Sequence, residues 1–304
     1  MRHLLLLLAL LPLWAKAQQL PHTMAFRSTL SAWNPAMTAP WTYMETQAVY
    51  HQQWLGFEGA PATLMADFQA PLVPQHMSLG LRLQQDETGP LQQTGISLSY
   101  AYQLELGYNQ RLAIGIMANG SRFRFDATSL NADDPSDLLL GSMEGSSQQL
   151  NFGMGIFYTS ADVEDYDEPY FFAGLAAQQL VPGELRFETV NELANFDRSF
   201  HGFGLIGYHF EQDYSFIEPS LQVLYAANNI THFQLGIQYE QYDTFWLGLS
   251  LDSSFRTGLQ LGYILSDVGE GSLRIGTMAS YSIQSRGQEQ GMSLQALVGY
   301  QYEL

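Results

Sequence analysis

The side chains here that could do chemistry are carboxylates and histidines, and their spacing excludes most of it. Carboxylates gather in "DATSLNADDPSD" (126–137), with Asp126, Asp133, Asp134 and Asp137, and in "ADVEDYDEP" (161–169), with Asp162, Glu164, Asp165, Asp167 and Glu168. Calcium wants six to eight oxygens around a glycine-centred bend. Neither stretch has the Asp-x-Asp-x-Asp-Gly spacing, so both read as solvated turns. His22, His51, His76, His201, His209 and His232 form no His-x-x-x-His or His-x-x-Glu-His pair, and cysteine is absent. No metal site and no cofactor are therefore expected. No Gly-x-Ser-x-Gly elbow exists either. A hydrolase triad would have to be assembled from scattered residues, and no catalytic residue is assigned. The chain reads as a non-enzyme.

Glycine-rich "GMGIFYTS" (153–160) and "GFGLIGY" (202–208) look superficially like phosphate loops. They sit within strand patterns and lead into no helix, so a dinucleotide site fails its own context. Charge removes another class of partner. The chain has a formal net charge of −18, and nucleic acid needs a basic footprint to release counterions.

The elements that must carry these residues begin after the N-terminus. Arg2 and His3 precede an apolar run, Leu4 to Trp14, and Ala15-Lys16-Ala17 supplies a small-x-small cleavage pattern. The run is too short for a spanning helix, so 1–17 reads as a signal peptide cleaved after Ala17. Its loss removes the single lysine, Lys16.

Beyond it, period-two alternation dominates. "TGISLSYAYQLELGY" puts Ile96, Leu98, Tyr100, Tyr102, Leu104 and Leu106 on one face, with Gly, Ser, Ala, Gln and Glu opposite. "THFQLGIQYE" sets His232, Gln234, Gly236 and Gln238 against Phe233, Leu235, Ile237 and Tyr239. Strands of about ten residues, apolar outside and small or polar inside, describe a transmembrane antiparallel β-barrel rather than a soluble sandwich. Fourteen strands are predicted: 43–54, 62–70, 76–86, 92–106, 110–125, 148–159, 168–179, 199–210, 214–225, 230–240, 244–252, 255–265, 271–284 and 290–302. The longest gaps, 126–147 and 180–198, then fall on one side, as extracellular loops do. The reading is an all-β barrel over 43–304, preceded by an N-terminal arm or plug over 18–42.

The inner face is expected to be small and polar, with few charges in the middle strands. Tyr43, Tyr50, Trp54, Tyr100, Tyr158, Tyr170, Tyr208, Tyr225, Tyr239, Trp246, Tyr263 and Tyr281 are expected to form interfacial girdles. The terminal "ALVGYQYEL" keeps the alternation of a barrel's last strand, with Leu304 in place of the usual Phe.

Particular segments resemble the PorP/SprF family. They are Asn34-Pro35-Ala36, Tyr50-His51-Gln52-Gln53-Trp54, and Gly56 through Gly59-Ala60-Pro61-Ala62-Thr63, with weaker matches at "LGLRLQQDETGP" (79–90) and "EPSLQVLY" (218–225). Two departures stand out: His51 where the family often has Arg, and "QGMSLQ" (290–295) at the start of the last strand. The resemblance implies a bacterial outer-membrane barrel tied to type IX secretion and gliding. Such a barrel would assist secretion, retention or attachment of surface proteins bearing a type IX C-terminal signal domain. Implied partners are outer-membrane lipids, those cargo proteins, and periplasmic or peptidoglycan-associated components. The alternative is a passive or substrate-specific outer-membrane pore.

The segment 50–61 is the first strand's end and the turn into the second. Tyr50, Gln52 and Trp54 share strand parity, and the polar Gln52 between the rings suggests a lumen-facing stripe near the rim. Gly56 and Gly59 free the backbone, and Pro61 fixes the start of the second strand. The corner is expected to seat aromatics against the N-terminal arm.

Overall fold

The computed structural model describes residues 25–107, 109–126, 144–161, 168–181, 183–186, 195–226, 230–282 and 291–303. The expected signal peptide and most of both acidic loops lie outside the described residues. Alternating sequence becomes strand as expected: β1 (Tyr43–Gln52), β2 (Ala62–Leu72), β3 (Met77–Thr88), β4 (Leu91–Glu105), β5 (Arg111–Asp126), β6 (Glu144–Thr159) and β7 (Tyr170–Gln178). Two four-residue strands, β8 (Gly183–Arg186) and β9 (Asn195–Arg198), pair only with each other. Then come β10 (His201–Gln212), β11 (Ser215–Ala226), β12 (Ile230–Gln241), β13 (Phe245–Asp252), β14 (Arg256–Leu265), β15 (Gly271–Ser282) and β16 (Met292–Glu303).

Fourteen of these strands close into one antiparallel barrel, each hydrogen-bonded to its neighbours in sequence, with β7 joined directly to β10. The seam pairs β1 with β16, from Tyr43 opposite Glu303 to Gln52 opposite Leu294. Closure satisfies every strand backbone without an edge, which a lipid environment demands. No helix among the described residues is long and apolar enough to cross a membrane; strands do the crossing.

The alternation sorts the faces. Leu98, Ile116, Leu150, Leu175, Leu235 and Leu249 are among the exposed outer side chains. Their strand neighbours turn inward and are buried, for example Gln47, Asn151, Gln178, Gln222, Gln234 and Gln238. The inner face departs from the expected small, polar set in one region. Phe157, Phe172, Phe203 and Leu205 form a buried apolar cluster inside the barrel. Three expected girdle residues also face the lumen: Tyr170 and Trp246 are buried, and Tyr43 lines an internal cavity. The physical reason is that this barrel has contents, and the contents need apolar contact.

Both long connections, β5 to β6 and β7 to β10, leave from the same end of the barrel. The opposite end carries tight turns such as 213–214 and 242–244, together with the start of β1 and the end of β16. These are called the long-loop end and the short-turn end below.

Candidate functional site: the filled lumen

Residues 25–42 run through the barrel interior as a turn (Phe26–Thr29), a single helical turn α1 (Leu30–Trp33) and a second tight turn (Pro35–Met37). Asn34 separates the last two in extended conformation. Its side chain accepts from the Ala36 amide at 3.0 Å and donates to the Ile156 carbonyl on β6 at 2.9 Å. Pro35 opens the turn that follows, where its missing N–H costs nothing. The wall opposite is cut away to receive this peptide. A Cβ on Gly115 of β5 would overlap the Pro35–Ala36 backbone, and one on Gly155 of β6 would overlap the Asn34 amide. Gly155 of "GMGIFYTS" thus makes room for the chain's own N-terminal segment.

Amides and hydroxyls complete this seat. Gln178 Nε2 donates to the carbonyls of Ala32 and Trp33 at 2.5 and 2.7 Å. Gln69 Oε1 accepts from the Ala39 amide at 2.8 Å, Ser78 Oγ donates to the Ala39 carbonyl at 3.0 Å, and Thr38 Oγ1 donates to Ser99 Oγ at 2.9 Å. Irregular backbone at membrane depth needs such partners, because no water competes for them. Arg82 reaches Ser31 Oγ at 2.8 Å while its Nε holds Asp67 at 2.7 Å, both side chains buried. Trp33 stacks on Phe203 with centroids 6.2 Å apart, and Met37 joins the same cluster.

The other side of the lumen is built differently. Arg27 is the plug's cation, and its guanidinium contacts Glu218 of β11 while lying 5.0 Å above the Phe216 ring. His209 faces two carboxylates, with Nδ1 at 3.1 Å from Glu218 and Nε2 at 2.9 Å from Glu211. Its ring stacks on Tyr170 at 4.6 Å. Tyr242, in the β12–β13 turn, donates to Glu211 at 2.6 Å. Burial, then the Glu211 carboxylate, raise the Tyr242 pKa above the ordinary phenol value, so the hydroxyl stays a donor. Arg274 of β15 clamps Glu240 through both nitrogens at 2.9 and 2.7 Å and lies 4.7 Å above Trp246. The expectation of few inner charges in the middle strands is therefore corrected. The charges are present, and those of Arg27, Glu218, Glu240 and Arg274 are held in pairs. Between this wall and the plug, on the short-turn side, lies a cavity of about 580 Å³.

The residues singled out from the sequence separate into two places. Asn34, Pro35 and Ala36 lie in the seat just described. Tyr50, His51, Gln53, Trp54, Gly56, Gly59 and Pro61 lie at the long-loop rim of β1 and β2. The lumen-facing stripe is not observed: Tyr50 is 46% exposed on the outer face, and its hydroxyl donates to Gln52 at 2.7 Å. Parity fails beyond β1 because the strand ends at Gln52, and Trp54 takes a left-handed φ of 45°. Nor do the corner's hydrogen bonds run to the plug. Gln53 N bonds to Pro61 O, Leu55 N to Met292 O at the start of β16, and Gly89 N to Gly59 O. The corner therefore ties three hairpin ends together, with Gly56 and Gly59 at positive φ. His51 points inward and is buried.

The His209–Glu211–Glu218 group was missed, although its signal was present. In "GYHFEQ", His209 and Glu211 share the parity of lumenal Gly207, opposite outward Tyr208 and Phe210. Ionisable groups on the inward face of an otherwise apolar strand mark a lined lumen. Among the described residues no group of three or more His, Asp or Glu is arranged to hold a metal.

Solved structures share the architecture. The monoaromatic hydrocarbon channel CymD matches with a TM-score of 0.55 and 12% identity over 89% of this chain and 91% of that one. The Pseudomonas putida toluene transporter TodX matches with a TM-score of 0.54 and 8% identity over 95% of both chains. At such identities the likeness shows the fold alone. No curated protein matches in sequence. Across residues 15–300 the chain matches the family described as "Type IX secretion system membrane protein PorP/SprF", and it is a member of that family, a β-barrel of the outer membrane.

Proposed function

We propose that this barrel is a non-enzymatic part of the type IX machinery that assists secretion, retention or attachment of surface proteins bearing a type IX C-terminal signal domain. Family membership over nearly the whole chain carries the reading. A lumen filled by the protein's own residues 25–42 supports it, since a scaffold needs no open pore. Short turns of outer-membrane barrels face the periplasm, so the long-loop end is the surface for cargo. The segment 180–198, which includes the β8–β9 hairpin, offers strand edges to which an extended cargo segment can add by backbone pairing. The short-turn end and the segment 160–167 are the surface for periplasmic and peptidoglycan-associated partners.

Co-purification from native membranes tests this. A cargo C-terminal signal domain is expected to co-purify with the full-length barrel and to be lost when 180–198 is deleted. Undiminished recovery with the deletion overturns the placement. The second reading is a passive or substrate-specific pore, favoured by the lumenal cavity beside the plug. Steady conductance of the purified protein in planar bilayers would establish it, and silence would favour the scaffold.

A further inference from the structure

The cavity on the short-turn side of the plug specifies an occupant. Its volume, about 580 Å³, is that of a site for a small ligand or one large side chain. Four carboxylates line it, Glu45, Glu218, Glu240 and Asp243, against two arginines, Arg27 and Arg274, and one histidine, His209. Both arginines are already engaged, Arg27 on Glu218 and Arg274 on both oxygens of Glu240. The hydrogen-bond partner of Glu45 is neutral, Gln301, whose Nε2 donates at 3.2 Å, and Arg274 and Arg27 act on it only at longer range. Among the described residues no arginine lies within ion-pair distance of it.

The same cavity shows how its walls receive a cation, because each of its arginines lies over an aromatic ring about 5 Å away. An anion would meet surplus negative charge. A neutral hydrocarbon would leave the Glu45 carboxylate facing apolar surface, which is costly without a compensating partner. A cation on an apolar stem satisfies the carboxylate, while its stem meets the rings that no arginine covers, among them Trp41, Phe157 and Phe172.

We propose that this cavity binds a cationic group borne on an apolar stem, with Glu45 as its counter-ion and the lumenal aromatics as its walls. The site does not rest on the secretion reading. The cation can come from a free amine or from a basic side chain of an incoming peptide, and two probes separate these sources. Calorimetry on the full-length protein in detergent would compare benzylamine, N-acetyl-arginine amide and neutral benzyl alcohol. Both cations are expected to bind, with benzyl alcohol at least about tenfold weaker. Glu45→Gln is expected to weaken both cations about tenfold, the loss of one charge-assisted contact, and to leave benzyl alcohol unchanged. Tighter binding of the arginine probe supports the site with a peptide side chain as source, and tighter binding of benzylamine supports it with a free amine. Gln301→Arg supplies Glu45 with an internal cation, as Arg274 does for Glu240, and is expected to abolish cation binding while the folded barrel keeps its heat-modifiable gel mobility. No heat from either cation, equal affinity for the alcohol, unchanged binding in Glu45→Gln, or full binding in a folded Gln301→Arg protein each overturns the proposal.

Discussion

The two walls that meet the plug solve the same problem in opposite ways. On the β2–β7 side the plug lies flat against the sheet, glycine to peptide, with amides satisfying its backbone at Ala32, Trp33 and Ala39. An ion pair there, Arg82 with Asp67, lies within the wall and meets the plug at Ser31. On the β11–β15 side the plug reaches the wall by a charge, Arg27 on Glu218, and cavity space remains. A neutral, close-fitted seat depends on shape, and its stability is insensitive to ionic strength. A charged tether acts across a gap and yields more readily to a competing ion. The plug is thus fixed on one flank and leashed on the other.

The sharpest way to break that contrast is on the fixed flank. Arg82→Met strands a buried Asp67 carboxylate and removes the Ser31 contact. It is expected to cost about 3–5 kcal/mol, read as a lower denaturation midpoint of the detergent-solubilised barrel. Gly155→Val forces a side chain into the space of the Asn34 amide. Overpacking of this kind costs about 1–3 kcal/mol, and the displaced plug is expected to raise bilayer conductance above that of the unaltered protein. Arg27→Gln cuts the tether while leaving the seat whole. Its expected cost is smaller, about 1–2 kcal/mol for one charge-assisted contact, with brief conductance flickers in place of steady opening. If Arg27→Gln opened the lumen more than Gly155→Val, the roles assigned to the two flanks would be reversed.

How far the sequence foretold these flanks depends on the range of the interactions. The barrel was legible because each strand states its own faces: Ile96, Leu98 and Leu104 outward with Ala101 inward needs no knowledge of any partner. The grouping of long connections at one end was legible from strand parity alone. The hairpin β8–β9 was not, since four residues are too few for alternation to register. The seat was also hidden. Asn34–Ala36 meets residues 115 and 155, and a close approach between positions so far apart leaves no local pattern. Only the glycines, too frequent inside β5 and β6 for strand propensity, hinted that something presses there. Tyr170 and Trp246 misled for a related reason. An aromatic near a strand end looks the same from sequence whether it faces lipid or lumen, and the choice is made by contents that the strand does not encode.

The seam between the first and last strands has a consequence for how the molecule comes into being. The hydrogen-bonded seat on β2–β7 is complete once the chain as far as Gln178 is available, whereas the seam needs Met292–Glu303. The N-terminal half can therefore curl around its own N-terminal segment as a template before the wall is sealed. When β16 then zips onto β1, that segment is enclosed by topology as well as by contact, like a ship finished inside its bottle. The Arg27–Glu218 tether has to wait longer than the seat does, until β11 has joined the growing sheet.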